Sequence, residues 1–249
     1  MSFDDIVALL FPTIFIAFLL AERLIGGGRK FPAIRFWTLT GFVGLFASAA
    51  VNAVVPLLVV PVFAHARVVD LSALALMGAL PALVLTTFFT YWSHRLQHSF
   101  DVLWRMGHQL HHAVARVDVA SGMMFHPIDV FVQAAMTTLA AAVLGVTPEA
   151  AALAGVANFA IALFQHLNVA TPRWAGYLIQ RPEAHVLHHE RDIHSRNFGD
   201  LPVWDMLFGT YANPQTVDAK VGFEPDRGRR VLAMIACIDV NRTRGRAKV

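Results

Sequence analysis

Polar positions are scarce along much of this chain, and what they leave is a series of apolar runs. The runs extend from Ile6 to Leu20, Phe36 to Val60, Leu71 to Tyr91, Ile128 to Val146 and Ala150 to Phe164. A helix that crosses a bilayer needs about 20 predominantly apolar residues. The middle runs meet that length, while the first and last are short and leave room for tilted, re-entrant or partly crossing segments. The pattern predicts an all-α, polytopic membrane bundle of about four to five membrane helices. Pro56, Pro61, Pro81 and Pro148 read as helix ends or kinks, because proline has no N–H for the helical ladder.

Charge then orients the bundle. The loop after the first run holds Arg23, Arg29, Lys30 and Arg35, whereas the turn between the second and third holds only Arg67 with Asp70. Positive charge favours the cytoplasmic side, so the first loop is expected inside and the N-terminus outside. Counting onward, the end of the third run, the return of the last hairpin and the basic tail all meet on the cytoplasmic face. Composition agrees with a membrane setting: 56% of residues are hydrophobic, 15% are charged and the mean hydropathy is +0.54, against about 25% charged residues in soluble proteins. Asp4 and Asp5 stand where a signal peptide carries lysine or arginine, and no small-residue cleavage site follows, so the first run is expected to be retained. Gly26-Gly27-Gly28 lacks both a following Lys-Ser or Lys-Thr and a preceding strand, which leaves a flexible connector in place of a phosphate loop.

Candidate chemistry is concentrated in histidine. Of 12 histidines, all but His65 fall between His94 and His194. They form three strings: His94-x-x-x-His98, His108-x-x-His111-His112 and His185-x-x-His188-His189. Residues three and four apart share a helix face, so each string is expected to aim its imidazoles at a common centre. Eight such nitrogens exceed what one tetrahedral zinc needs and suit a pair of redox metals, iron above all where oxygen chemistry is concerned. The single cysteine, Cys237, excludes intrachain disulfides and cysteine-held iron–sulfur clusters. The first string lacks the glutamate of a His-Glu-x-x-His zinc protease, which removes the general base of that chemistry. A histidine-rich metal carrier without redox catalysis is the alternative, but transporters place ionisable residues near the middle of the membrane, and the spans Phe36 to Val60 and Ile128 to Val146 are nearly free of them. A bis-histidine haem carrier would place single histidines on facing helices, not clustered strings.

Further strings lie in order around these: Tyr91-Trp92-x-His94-Arg95, Leu103-Trp104-Arg105, Phe125-His126-Pro127, His166-x-Asn168, Asn197-Phe198-Gly199, and Leu201-Pro202-x-Trp204-Asp205-x-Leu207-Phe208-Gly209-Thr210. From about Thr90 to Tyr211 the chain resembles the fatty acid hydroxylase and sterol desaturase superfamily. That resemblance implies an integral-membrane non-haem di-iron enzyme using dioxygen and two electrons to hydroxylate, or less readily desaturate, a lipid such as a sterol, fatty acyl chain or sphingolipid. Carried over by position, it implies metal ligands at His94, His98, His108, His111, His112, His185, His188 and His189, with His166 a further one. No catalytic residue is expected beyond these ligands. His126 and His194 stand as candidates for a ligand or supporting role, and Asn168, Asn197, Asp200 and Asp205 as anchors for ligand imidazoles. Phe198 replaces a common tyrosine and Asp129 a common glutamate, so neither position is assumed to keep a relative's hydrogen bond.

The expected cofactors are two iron ions, with dioxygen as co-substrate. Neither a cytochrome b5-like domain nor a flavin or nicotinamide fingerprint is evident, so a separate donor, a ferredoxin or a cytochrome b5-like protein with its reductase, is expected to supply electrons. Membrane lipids are expected partners and nucleic acid is not. The expected organisation is N-terminal membrane helices at 1–89, a catalytic domain at 90–211 containing a membrane hairpin near 128–164, and a basic cytoplasmic tail at 212–249. In that tail Arg227, Arg229, Arg230, Arg242, Arg244, Arg246 and Lys248 suit either anionic lipid or an acidic donor.

Overall fold

In the computed structural model, residues 1–25 and 28–241 are described. They form an all-helical bundle whose long members are α1 (Phe3–Ile25), α2 (Trp37–Phe63), α3 (Ala79–Ser99), α6 (Pro127–Leu144) and α7 (Pro148–His166). A short 3₁₀ stretch, Ser72–Gly78, leads into α3. Five helical stretches are long and apolar enough to cross a membrane: Phe3–Ile25, Trp37–Phe63, Ser72–Ser99, Pro127–Leu144 and Pro148–His166. The shorter helices are α4 (Asp101–Leu103), α5 (Gln109–His112), α8 (Pro182–His188), α9 (Pro202–Phe208), α10 (Pro225–Gly228) and α11 (Val231–Ile235), with a π-helical turn, Trp104–His108, between α4 and α5.

The first apolar run extends into a 23-residue helix because Glu22 and Arg23 continue its last turn. It therefore has spanning length, and the last run, at 19 residues, nearly so. Pro148 opens α7 as expected, but Pro56 and Pro61 lie inside α2 without ending it. Among the described residues five helices, α6, α7, α8, α9 and α10, place proline at their first position, where its missing N–H has no intrahelical partner to lose. Thr147 Oγ1 caps α7 by accepting from the Ala150 N–H at 3.2 Å.

Packing makes α3 the centre of the bundle. It lies against α6 and α7, while α2 covers α6 and α1 covers α7. Phe15 and Leu19 of α1 are buried with Leu45, Val119, Met123 and Leu163, and Val55 and Val59 of α2 are buried against Ala135 of α6. Most other α1 and α2 side chains face outward and are apolar, including Leu57 at 74% exposure. This is the arrangement expected where the surrounding solvent is lipid. Gly26 and Gly27 of the connector lie outside the described residues. Gly28 is held close, since a Cβ there would stand 2.5 Å from the Asn168 carbonyl oxygen.

Candidate metal centre

The histidines reach one end of the bundle from four directions. α3 carries His94 and His98, the π turn and α5 carry His108, His111 and His112, α7 ends on His166, and α8 with its C-cap carries His185, His188 and His189. They gather into two groups. His94, His98, His108, His112 and His188 form the first; His111, His166, His185 and His189 form the second, with nitrogens in each group within 4.8 Å of one another.

This arrangement corrects the expectation that each string aims at one centre. His108 and His112 enter the first group while His111 enters the second, and His185 and His189 enter the second while His188 enters the first. The cause is helical geometry, since adjacent residues at 3.6 per turn point about 100° apart. His111 and His112 cannot face the same ion.

Hydrogen bonds set the ring orientations. His94 Nδ1 donates to the Phe198 carbonyl at 2.7 Å, His188 Nδ1 to the Arg196 carbonyl at 2.8 Å and His166 Nδ1 to the Ala162 carbonyl at 2.7 Å. His108 Nδ1 pairs with Asp129 Oδ2 at 2.8 Å. A carbonyl only accepts, so Nδ1 carries the proton in the first three and Nε2 is left with its lone pair towards the group. Burial pushes His111, His112, His185, His188 and His189 well below the ordinary 6.5. The imidazoles are thereby held neutral, the form that binds a metal.

The groups fit metal ions better than mutual hydrogen bonding. In the second group His166 Nε2 lies 3.3 Å from His111 Nε2 and 3.0 Å from His185 Nε2, which is itself 3.0 Å from His189 Nε2. An imidazole nitrogen makes one hydrogen bond, so two nitrogens with two such neighbours each cannot all be satisfied that way. Ligands about 2.0–2.1 Å from a shared ion lie roughly 3.0–3.4 Å from one another. In the first group, His94 and His98 show the same spacing at 3.2 Å, as do His108 and His112 at 3.1 Å. His188 Nε2 is buried and has no hydrogen-bond partner among the described residues.

The supporting residues divide. Asp205 accepts from the N–H groups of Phe198 and Gly199, each at 2.8 Å, and so fixes the loop whose carbonyl holds His94. Asn197 donates to the Ala184 and Ala212 carbonyls, fastening the start of α8. Asp200 meets the Gln165 amide at 2.6 Å, and burial pushes its carboxyl up to about 6. Asn168 holds no histidine and instead exchanges hydrogen bonds with the Arg29 backbone. His126 caps α6 by accepting from the Ile128 N–H and donates to the Ile235 carbonyl, outside both groups. His194 stacks on His98 with centroids 5.3 Å apart without joining a group, and burial lowers it to about 4.

Two features have roles that the sequence did not assign. Asp129, read in the sequence only as standing where a glutamate is common, pairs through one oxygen with His108 Nδ1, with Gln97 and Gln133 donating to its other oxygen. Phe125 stacks on His111 at 4.2 Å and 9°. The motif Phe125-His126-Pro127 marked the neighbourhood, but pointed to its histidine. A cavity of about 50 Å³ adjoins both groups, bounded by residues of α3, α6 and α7, including Ser93, Gln133 and Gln165, and by Asp200.

The fatty acid hydroxylase profile matches residues 79–210, more than half of the chain. The chain belongs to the fatty acid hydroxylase family. Among curated relatives, the ornithine lipid hydroxylase OlsE of Rhizobium tropici is 35% identical over 62% of this chain and 48% of its own length. A Delta(7)-sterol-C5(6)-desaturase of Nicotiana tabacum is 30% identical over 62% of this chain and 57% of that protein. A putative Delta(7)-sterol-C5(6)-desaturase 2 of Arabidopsis thaliana is 29% identical over 53% and 47% respectively. The chain thus spans about half the length of the curated relatives it matches. No solved structure matches it. For this fatty acid hydroxylase family member, five membrane-length helices and buried histidine groups make an integral, multi-pass membrane protein with a site suited to metal.

Proposed function

We propose that this protein is a membrane lipid oxygenase that hydroxylates a C–H position of a lipid, using dioxygen and electrons from a separate donor. The observation that carries the reading is the convergence of nine histidines as two adjacent groups of five and four. In this assignment His94, His98, His108, His112 and His188 hold one iron ion, and His111, His166, His185 and His189 the other. Iron held there would activate dioxygen, the oxidant, with electrons from the donor, chemistry that attack on an unactivated C–H bond requires and no side chain can provide.

The chain's own residues have positional tasks. Carbonyls at Phe198, Arg196 and Ala162, and the Asp129 carboxylate, fix the tautomers and rotations of four imidazoles, an outer layer on which metal affinity depends. Burial of most of these histidines limits the access of bulk water to the groups. The cavity beside them is walled by membrane helices, which suits a substrate that arrives laterally from the bilayer. The loop carrying Arg29, Lys30 and Arg35 supports a cytoplasmic site by the positive-inside bias. The catalytic unit is assigned to 90–211, and an acidic ferredoxin or cytochrome b5-like protein is the proposed electron donor. The tail residues Arg242, Arg244, Arg246 and Lys248, once candidates for steering that donor, lie outside the described residues.

Hydroxylation is favoured because the relative of 35% identity is named a hydroxylase, whereas the desaturases are 30% and 29% identical. Family membership weighs against a metal carrier without catalysis. The test is lipid profiling of cells with and without the gene under oxygen-18 dioxygen. A lipid that gains one labelled oxygen is the expected result. A new double bond without label makes the enzyme a desaturase, and unchanged lipids in cells with verified iron loading overturn the oxygenase reading.

A further inference from the structure

Beyond the histidine site, one surface has no role in the proposed chemistry. Val102, Leu103 and Met106, just past the end of α3, are exposed, and so are Leu232, Ile235 and Ile238 in and after α11, with Leu232 at 85% exposure. The two segments are joined. α11 packs on the π turn and α5, and Met234 is buried against Leu110 and Ala113, with Trp104 packed beside them.

Two connections place this surface beside the ends of two membrane-length helices. Phe100 follows directly on Ser99, the last residue of a membrane-length helical stretch, so the first segment begins where that stretch ends. His126 donates to the Ile235 carbonyl at 3.1 Å and immediately precedes Pro127, the first residue of another span. Gln109 adds a further clasp, donating to the Ile238 carbonyl at 2.9 Å. α11 is thereby held beside the ends of two membrane-length helices. Arg229 and Arg230, both exposed, stand at its N-terminal edge.

We propose that these segments form one shelf seated in the headgroup layer, its apolar side chains reaching the acyl boundary and Arg229 and Arg230 meeting anionic phosphates. A short apolar face flanked by arginine at bilayer height is the chemistry of an in-plane interfacial element. Long cationic side chains reach from such a position to the phosphates while their stems lie on apolar surface. A soluble partner would instead meet apolar residues at a level already occupied by lipid. The seat also explains His126, which is neither in a metal group nor idle: it ties the shelf to the start of α6.

The experiment uses the full chain in nanodiscs, with the sole cysteine removed by Cys237→Ser and a spin label placed at Leu232→Cys. Labels at Leu57→Cys, facing lipid on α2, and Gln215→Cys, on an exposed polar loop, serve as references. Collision rates with oxygen, which concentrates in lipid, and with a water-soluble nickel chelate report depth. The expected result is a label at position 232 between the references, several-fold more accessible to oxygen relative to nickel than at 215. The depth should lessen in discs of phosphatidylcholine alone compared with discs containing phosphatidylglycerol, and likewise with Arg229→Gln and Arg230→Gln together. A label at 232 as open to nickel as at 215 overturns the shelf. Protection from both reagents, with dipolar broadening between labels of different chains, overturns it in favour of a second copy. Indifference to lipid charge and to the arginine changes overturns the phosphate contact. Metal content and lipid products are separate readouts, so failure here leaves the oxygenase reading untouched.

Discussion

Asp129→Asn isolates the outer layer of the metal site from the histidines themselves. Asp129 is 1% exposed and pairs with His108 Nδ1 at 2.8 Å, while Gln97 and Gln133 donate to its other oxygen at 3.1 and 3.2 Å. The asparagine has nearly the same volume, so no cavity opens. It has, however, one oxygen for three donors and carries donors of its own. If its amide N–H₂ meets His108, it favours Nδ1 as acceptor and Nε2–H, a tautomer that cannot ligate. If its oxygen meets His108, the glutamine amides lose their acceptor and the charge that strengthened the bond is gone. Loss of such a partner lowers metal affinity 10- to 100-fold as an order of magnitude, or about 1.4–2.7 kcal/mol. Because His108 belongs to the group of five, the loss should fall on one ion of two. Elemental analysis during titration with a graded chelator checks this, with thermal unfolding as a control for folding. The expected protein releases one ion at lower chelator concentration than wild type and retains the other. Release of both together refutes the division into two groups, and unchanged retention of both refutes a role for the carboxylate.

Metal-free protein should lose stability as pH falls below about 6.5. Burial holds His111, His112, His185, His188 and His189 well below that ordinary value, so between it and their folded values the unfolded chain binds more protons. Stability is flat with respect to these groups above 6.5 and then falls by about 1.4 kcal/mol per pH unit for each one still neutral in the fold. Denaturation of chelated protein at several pH values checks the slope, and a curve flat from pH 7 to 5.5 contradicts it. His126→Ala and His194→Ala should each leave two ions bound, because neither side chain joins a group, whereas His166→Ala should weaken the group of four alone. Loss of an ion from the His126 variant, measured by elemental analysis on folded protein, would move that histidine into the ligand set.

Much of the fold was legible because apolar runs of membrane length have few alternatives. The ends were less so: α1 continues through Glu22 and Arg23, and Glu22 is accommodated by accepting from the Val119 and Asn168 N–H groups. That is a tertiary compensation invisible to local hydropathy. Pro56 and Pro61 likewise read as helix ends or kinks, and α2 continues past both and buries Val55 and Val59 against α6. At the site, the histidine strings were plain because their spacing is local. Their partners were not, since Asp129 lies 21 residues from His108 and Phe198 lies 104 residues from His94. Asn168 shows the converse, a polar residue beside a histidine that is engaged with the Arg29 backbone.

The division between the groups explains why the string His-x-x-His-His occurs twice. In each copy the first and last histidines, four residues apart, face one group, and the middle one, three residues from the first, faces the other. The two copies do this in opposite senses: His108 and His112 join the group that receives His188, and His185 and His189 join the group that receives His111. Neither string can complete its group alone. Each needs the other's odd histidine, and then a residue from the membrane helices: His94 and His98 of α3 on one side, His166 of α7 on the other. Two ions would therefore clamp the helices outside the spans to one another and to α3 and α7. A single misplaced string would disturb both groups at once, because each string spans the boundary between them.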